Sequence, residues 1–359
     1  MLIKQHWWKF LSISLIFYTL IAGMLTPMGA GVQKISPAFI SQRGEVLLQL
    51  STYNSNYAPD VANNSLKARI RLNKNQAIEA KGAQVLGNDL VLNFDIPEGN
   101  MPVDISSPAL NKKSPYPLLE ISSPTQGYTS VKSAVIFDKI GENTQATFAP
   151  VQPYPQGEGN KFPFLNILEE SIRNLFFHVP MWFGMMLLLL VSAIYSILHL
   201  RRPQDNLYDI KSQSFAAIGL LYGIVGILTG ALWARYTWGD WWSWDVKQNT
   251  SAIALLIYMA YFVLRGSFED LDKKARISAI YNIFAFSTLI PLLYIVPRMV
   301  DSLHPGMGGN PAFSSYDLDN NLRLVFYPAI IGWILFGVWI ANINARIARL
   351  AARKAEKMG

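Results

Sequence analysis

Six stretches of this 359-residue chain are almost continuously apolar, and more polar segments separate them. They cover residues 10–25, 181–198, 215–233, 252–264, 277–295 and 324–343. Most approach the roughly 20 residues that a helix needs to cross a bilayer. The fourth run is shorter, but a helix beginning near Trp244 would also reach about 20 residues. The pattern predicts an all-α polytopic membrane protein with about six transmembrane helices.

The segment between the first two runs has a different pattern. Apolar and polar residues alternate there with a period of two, which is typical of half-buried strands. The alternating segments are residues 46–50, 66–72, 90–94 and 131–137. Turn sequences such as Gly87-Asn88-Asp89 separate them, and several X-Pro pairs within residues 107–117 disfavour a helix. We therefore predict an inserted extracytoplasmic β-rich domain with a sandwich-like architecture.

A row of basic residues, Lys67, Arg69 and Arg71, alternates with apolar residues on one predicted strand. The simplest interpretation is a solvated strand face, because the two faces of a half-buried strand differ in polarity. A docking surface for a partner is the alternative.

These patterns divide the chain into four parts. We predict an N-terminal transmembrane helix at residues 1–30, the β-rich domain at 31–160, a five-helix membrane domain at 161–345 and a basic tail at 346–359. Residues 150–161, rich in Pro, Gly and Gln, are predicted to link the β-rich domain back to the membrane. The first helix resembles a signal peptide, but Met28-Gly29-Ala30 is a poor cleavage site, so we expect a retained signal anchor rather than a cleaved one.

The distribution of basic residues predicts the orientation of the chain. They concentrate before the first run, between the second and third, between the fourth and fifth, and after the sixth. With six spans, all four segments fall on one side, which the positive-inside rule assigns to the cytoplasm. We expect a multi-pass protein of the bacterial inner membrane with both termini cytoplasmic and residues 31–175 periplasmic. The basic loops account for the net charge of +7. We therefore expect the basic residues to lie beside the lipid bilayer, and we predict no nucleic-acid partner.

Cysteine is absent from the sequence. The chain therefore cannot form a disulfide framework, exchange thiols itself or attach haem through a C-x-x-C-H motif. The sequence also has no P-loop, no G-x-S-x-G and no H-E-x-x-H, so hydrolase and nucleotide-dependent functions have no motif to support them.

Five of the ten tryptophans lie within residues 233–245, in the sequence WARYTWGDWWSWD. They are Trp233, Trp238, Trp241, Trp242 and Trp244. Tryptophans at a membrane edge form either an anchoring belt or a platform for a flat apolar ligand. A belt uses scattered residues at two interfaces, whereas these residues cluster in one loop. The clustering favours a ligand platform.

Two of the four histidines fall on the same predicted side as this cluster. His178 opens the second span in the sequence FFHVPMW, and His304 follows the fifth span in DSLHPGM. Each histidine alone is more simply an interfacial polar residue. Together with an aromatic platform, two neutral imidazoles suit the two axial positions of a haem iron. The predicted cofactor is a non-covalently and transiently bound haem b.

Charged residues near the same edge have two possible roles each. Cations could pair with haem propionates or equally anchor lipid phosphates. These cations are Arg235, Lys247, Arg298 and Arg323. The simplest role of Asp245 is to cap the helix that follows it, and a second role, in orienting an imidazole or an arginine, stays open.

The run from Trp238 to Asp245, WGDWWSWD, resembles the tryptophan-rich "WWD" signature of the CcmC/CcmF/CcsA family of haem-handling proteins in cytochrome c biogenesis. FFHVPMW and SLHP resemble that family's two external haem-ligand segments. Six spans, with the signature between the third and fourth, are similar to CcmC-like members, over roughly residues 172–343 plus the first span. The resemblance implies a non-enzymatic protein that presents haem on the periplasmic face to a membrane-anchored, CcmE-like haem chaperone, together with ABC transporter subunits.

The resemblance also implies roles for individual residues. His178 and His304 become the axial ligands of the haem iron. The core of the platform becomes Trp241, Trp242, Trp244 and Asp245, and we include in the predicted haem-binding set Trp233, Arg235, Trp238, Gly239 and Arg298. The β-rich insertion departs from the family pattern, because CcmC-like proteins usually have a short first outer loop.

Two other functions compete with haem handling. A CcsA-like subunit of a cytochrome c synthase would join haem to apocytochrome thiols, but proteins of that kind resemble one another in carrying further histidines within the spans. Here no histidine lies at predicted mid-membrane depth, which favours handling. A membrane receptor whose β-rich domain is the working part would leave the convergence of tryptophans and histidines unexplained.

Overall fold

The computed structural model describes residues 2–98, 116–132, 134–137, 148–154, 161–165, 168–300, 302–304 and 318–358. The chain divides into two compact units. One comprises Met1–Leu25 and Arg173–Gly359 and is called the membrane unit below; the other, Thr26–Ile172, is called the β unit. The X-Pro segment at 107–117, apart from its last two residues, and residues 155–160 of the predicted linker lie outside the described residues.

Seven α-helices occur in the described part of the chain. They are α1 (Leu2–Leu25), α2 (Ala58–Ala62), α3 (Leu175–Arg201), α4 (Asn206–Trp238), α5 (Val246–Gly266), α6 (Leu271–Ile290) and α7 (Asn320–Met358). All except the short α2 are long and apolar enough to cross a membrane. Six spans were predicted, and the same six apolar runs carry them. The shortest run gains its length as predicted, since α5 begins at Val246, next to the tryptophan segment.

The helix α6 does not end in a simple cap. It continues through a π-helical turn at Pro291–Ile295 and a 3₁₀ turn at Val296–Arg298. Proline lacks a backbone N–H, so Pro291 and Pro297 cannot continue an α-helical ladder, and altered turns take its place.

The packing of α3 against α4 depends on a row of glycines. Gly219, Gly223, Gly226 and Gly230 recur at spacings of four and three, so they share one face of α4. A Cβ at Gly219 would lie 2.6 Å from the Leu189 side chain, and a Cβ at Gly223 would lie 2.8 Å from the sulfur of Met185. Glycine is therefore needed for the backbones to approach this closely. We call this row the glycine face of α4.

The β unit contains ten strands in its described residues. They are β1 (Gly31–Ser36), β2 (Phe39–Ile40), β3 (Gly44–Tyr53), β4 (Lys67–Arg71), β5 (Gln76–Leu86), β6 (Asp89–Ile96), β7 (Leu118–Ser123), β8 (Gly127–Val131), β9 (Ile136–Phe137) and β10 (Ala149–Pro150). Strands at 46–50, 66–72 and 90–94 were predicted and are confirmed. The predicted strand at 131–137 is wrong as one element, because β8 ends at Val131 and β9 begins at Ile136.

One connected sheet forms most of this unit, in the order β1-β3-β6-β5-β4-β7-β8, and β10 also pairs with β5. The long strand β5 joins the two halves, and its register shifts between Ala80 and Gly82, where a bulge can bend the strand. Both halves contribute to one apolar core. Its fully buried members include Leu48, Leu50, Ile70, Leu92, Phe94, Leu119 and Ile121. A β-rich region was predicted and is present. Its main strands are linked through β5 into one connected sheet, whereas a sandwich-like architecture would have two separate sheets.

The basic row of β4 is not the solvated face that its alternation predicted. The Arg69 side chain is buried, and its Nε lies 2.5 Å from Glu120 Oε2. Arg69 and Glu120 are direct cross-strand partners in the β4–β7 register, and the ring of Tyr154 lies 3.8 Å from the Arg69 guanidinium. Only Lys67 in the row is exposed. An arginine can be buried here because a carboxylate on the neighbouring strand pairs with it.

Candidate functional site

Four segments of the membrane unit meet at one end of its helices. Successive spans run in opposite directions, so the start of α3, the end of α4 and the start of α5 lie at the same end. Residues 302–304, which follow the turns after α6, are tied to the start of α5 by hydrogen bonds to Asp245. This end holds both of the predicted axial ligands and the tryptophan segment.

His178 lies on the first turn of α3 and faces the glycine face of α4. Its Nδ1 lies 3.0 Å from the carbonyl oxygen of Gly226 and 3.2 Å from Thr229 Oγ1. A carbonyl oxygen only accepts, so Nδ1 must carry the proton and donate. The other nitrogen, Nε2, then keeps its lone pair in the neutral ring. The contact assigns the tautomer that a metal-binding imidazole requires.

The space for this imidazole exists because residue 230 has no side chain. A Cβ at Gly230 would lie 2.7 Å from Cε1 of the His178 ring. Two indoles contact the same ring edge-on, with centroid distances of 6.2 Å for Trp182 and 5.8 Å for Trp233. Trp182 packs in turn on Gly226, where a Cβ would lie 3.0 Å from the indole.

His304 is held by Asp245. Its Nδ1 lies 2.8 Å from Asp245 Oδ1, and the side chains are 20% and 3% exposed respectively. Burial raises the pKa of the Asp245 carboxyl, but hydrogen bonds from His304, Leu303 and Ser302 outweigh burial and hold that pKa well below its usual range. The carboxylate is therefore ionised at neutral pH and accepts the Nδ1 proton, which leaves Nε2 as the free nitrogen of the neutral ring.

Asp245 also caps α5, as predicted, by accepting a hydrogen bond from the Lys247 N–H at 2.9 Å. The second role that the sequence left open is present as well, since the same carboxylate contacts an imidazole. No spacing rule could have joined residue 245 to residue 304, because the contact crosses 59 positions of the chain.

The tryptophan segment divides into inward and outward residues. Trp238, the last residue of α4, contacts the His304 ring edge-on at a centroid distance of 4.8 Å, and Gly239 turns the chain after it with φ of +90°. Trp242 is partly buried and donates from Nε1 to Asn249. By contrast, Trp241 and Trp244 are 57% and 78% exposed. Only part of the predicted platform therefore faces the two histidines.

The four candidate cations lie in different surroundings. Lys247 is near enough to interact electrostatically with His178, Asp245 and Arg298. His178 and His304 are also within electrostatic range of each other.

The other two cations have local partners. Arg235 donates to the carbonyl oxygen of Gly239, and Arg323 donates to the Asn320 side chain at 3.4 Å. The structure thus brings Arg298 near Lys247, and Lys247 near His178.

Sequence reasoning missed Trp182 and the glycine face of α4. The signal was present in the glycine spacing over residues 219–230, which matches the small-residue pattern of closely packed membrane helices. Trp182 also follows His178 by four residues, so both lie on one face of α3.

Comparisons with known proteins match the part of the chain that contains these residues. Residues 160–304 match the model of the family described as "Cytochrome C assembly protein". The matched range includes His178 and the whole tryptophan segment, and it ends at His304. Most of the β unit precedes it.

Two curated relatives match longer stretches of the chain, over 195 and 179 residues. The chain is 28% identical to the heme exporter protein C of Bradyrhizobium diazoefficiens over 52% of this chain and 71% of that protein. It is 24% identical to the Escherichia coli K12 heme exporter protein C over 49% of this chain and 69% of that protein. A shorter match, 40% identical over 81 residues, covers 26% of the cytochrome c biogenesis protein CcsA of Prochlorococcus marinus. With its six candidate spans and the match over residues 160–304, the chain is similar to CcmC- and CcsA-type cytochrome c assembly proteins.

Proposed function

We propose that the chain binds haem between His178 and His304 and presents it for cytochrome c maturation. One observation carries the proposal: both imidazoles have Nδ1 engaged, by a carbonyl in one case and a carboxylate in the other. Each therefore offers Nε2 to a metal. Bis-imidazole ligation of haem iron needs two such nitrogens on neutral rings.

The surroundings of the two rings fit haem as a cargo. Trp182, Trp233 and Trp238 supply flat apolar surface beside the imidazoles. Lys247 and Arg298 supply positive charge for propionates. A largely apolar site with a few charged groups is the usual composition of a pocket for a flat amphipathic ligand.

The exposed indoles support presentation rather than storage. Trp241 and Trp244 project from the same segment that contacts His304, so a partner could bind them while haem is in place. We propose that this partner is a membrane-anchored, CcmE-like haem chaperone and that ABC transporter subunits assemble with the chain. The similarity to heme exporter protein C supports this assignment.

The orientation belongs to the same proposal. The basic loops of the sequence favour cytoplasmic termini in a bacterial inner membrane, which places the histidine end and residues 31–175 in the periplasm. The bound cargo is proposed to be haem b, held without covalent bonds and released.

A cytochrome c synthase is the second candidate, supported by the 40% identity to the CcsA protein over 81 residues. The two functions differ in whether the protein forms a covalent bond between haem and an apocytochrome. Purified protein would be incubated with haem and an apocytochrome, with no other maturation factor. A handling protein leaves the haem extractable by acid and organic solvent, whereas a synthase converts it to a covalent thioether product; a covalent product here would reject the handling function.

The β unit has a proposed role in recruiting the chaperone or the apocytochrome. It packs a core of its own, and most of it lies before the family match. A chain lacking Gln33–Gln156 tests this role. We expect it to bind haem but to transfer it slowly, and transfer at the normal rate would reject recruitment by this unit.

A further inference from the structure

The two imidazoles of the site are supported by groups of different charge. His178 donates from Nδ1 to the neutral carbonyl of Gly226, on a helix that packs along α3. His304 donates from Nδ1 to the carboxylate of Asp245 at 2.8 Å. A negative acceptor withdraws the Nδ1 proton further, and so it makes Nε2 a stronger electron donor.

A single carboxylate also organises the segment that carries His304. Each of the described residues 302–304 contacts Asp245: Ser302 Oγ and the Leu303 N–H at 2.8 Å, and His304 Nδ1 at 2.8 Å. The same carboxylate receives the Lys247 N–H at the start of α5. Asp245 is 8% exposed, so these bonds are shielded from water and are correspondingly strong.

From this geometry we propose that Asp245 is the positioning residue of His304 and makes the two axial ligands unequal. His304 is the strongly donating ligand, and His178 is the weaker, neutral one. The inference rests on the proposed function, since it concerns the iron that the two rings would hold. Haem iron with a more strongly donating axial ligand favours the ferric state. Loss of the Asp245 charge should therefore raise the reduction potential of the bound haem.

The substitution Asp245→Asn separates positioning from helix capping. Asparagine caps helices about as well as aspartate, and its side-chain oxygen can still accept one hydrogen bond. The negative charge is lost, and an NH2 group that can only donate replaces one of the two oxygens that accept from residues 302–304. Outer-shell partners of a metal-binding histidine typically contribute 10- to 100-fold to affinity, so we expect ferric haem to bind about 10- to 100-fold more weakly in this variant.

Asp270 supplies the matched control. It caps α6 by accepting the Lys273 N–H at 2.8 Å, the same type of contact that Asp245 makes with Lys247. Asp270→Asn therefore changes an N-cap aspartate at the far end of the bundle from the histidines. We expect haem affinity and potential in this control to match the wild type.

The experiment uses the full chain in detergent with added haemin. Haem affinity, the midpoint potential and the reactivity of His304 toward diethyl pyrocarbonate without haem are measured in the wild type, Asp245→Asn and Asp270→Asn. The inference predicts weaker binding, a higher potential and greater His304 reactivity in Asp245→Asn alone. Unchanged potential and reactivity in that variant, with haem bound to the wild type, would overturn the positioning role.

Failure of the proposed function gives a different result. If the wild type binds no haem, haem handling is rejected, and the claim of unequal iron ligands falls with it. The reactivity of His304 in the haem-free protein still decides whether Asp245 positions the ring. If Asp245→Asn does not fold, Ser302→Ala takes its place, because it removes one of the hydrogen bonds to the Asp245 carboxylate. We expect Ser302→Ala to increase His304 reactivity to a smaller extent than Asp245→Asn would. No increase would count against the inference.

Discussion

The His178 ring lies against Gly230, so closely that a single added methyl group would stand 2.7 Å from its Cε1 atom. Four positions earlier on α4, Gly226 supplies the carbonyl that accepts the Nδ1 proton. The glycine face of α4 thus both makes room for the imidazole and fixes its tautomer.

Gly230→Ala should therefore displace His178. Overpacking of this kind costs about 1–3 kcal/mol, and the ring can avoid the clash only by leaving its bond to Gly226. We expect a large loss of bound haem with the helices retained, measured as haem per protein after purification. Gly266→Ala is the control, because a Cβ there has open space. Equal haem content in the two variants would show that the contact is unimportant.

Trp182 is expected to be part of the haem site although it lies outside the tryptophan-rich WWD signature. Its indole packs against Gly226 and contacts the His178 ring edge-on. Trp182→Ala would open a cavity beside the ligand, and such truncations cost about 3–5 kcal/mol when the tryptophan is fully buried. We expect weaker haem binding, assayed by haemin titration, and partial recovery in Trp182→Phe.

Trp7 provides the comparison for this prediction, since it is 59% exposed on α1. Trp7→Ala should bind haem normally. A titration curve for Trp182→Ala that matches this control would remove Trp182 from the site.

Trp244 is expected to serve transfer and not binding. It is 78% exposed and has φ of +57°, a conformation that costs energy for a bulky residue. Trp244→Gly relieves that strain, so the thermal stability should not fall, while loss of the exposed indole should slow haem transfer to the chaperone. Stopped-flow spectra would record the rate of haem transfer. The rate for Trp244→Gly would be compared with that for Trp242→Phe, a variant of the same segment that retains an aromatic ring. Normal transfer by Trp244→Gly would exclude this residue from the partner surface.

The β unit should lose stability in acid. Burial raises the pKa of Glu120, but hydrogen bonds from Tyr128, Arg69 and Arg71 outweigh burial, so its pKa lies below the usual value. A carboxyl with a lowered folded-state pKa stabilises the fold fully above its unfolded pKa of about 4.3, and this contribution disappears as the pH falls through the folded-state value. The protection of β4 and β7 amides from hydrogen exchange, relative to their intrinsic rates, should therefore fall between about pH 5 and pH 3.

Glu120→Gln tests the assignment of this acid sensitivity. It removes the carboxylate nearest to the buried Arg69 and leaves, among the described residues, only Glu79, at 3.9 Å. Breaking a buried pair in this way costs about 3–5 kcal/mol. Exchange in β4 and β7 should be faster at neutral pH and less dependent on pH than in the wild type. An unchanged pH profile in the variant would place the acid sensitivity in another group.

The sequence predicted the elements of the membrane unit well, because each span is a long apolar run and Asp245 stands where a helix cap belongs. It could not predict which distant groups meet. Asn282 Nδ2 lies within hydrogen-bond distance of the hydroxyls of Ser192, Ser196 and Ser212 inside the helix bundle, and Asp245 contacts His304 across 59 positions. Such contacts depend on how the helices are packed, which a linear pattern does not contain.

The β unit shows the same limit. The alternation of β4 correctly placed its strand, but it assigned Arg69 to solvent because alternation reports polarity and not pairing. Glu120 lies opposite Arg69 only through the register of β4 with β7, a relationship set by tertiary structure.

Electron paramagnetic resonance of the ferric protein, purified with its coexpressed haem chaperone, tests the central claim most directly. The account predicts a low-spin, bis-imidazole haem signal in the wild type and loss of that signal in both His178→Ala and His304→Ala. Wild-type protein without haem, or an unchanged bis-imidazole signal in both variants, would contradict it.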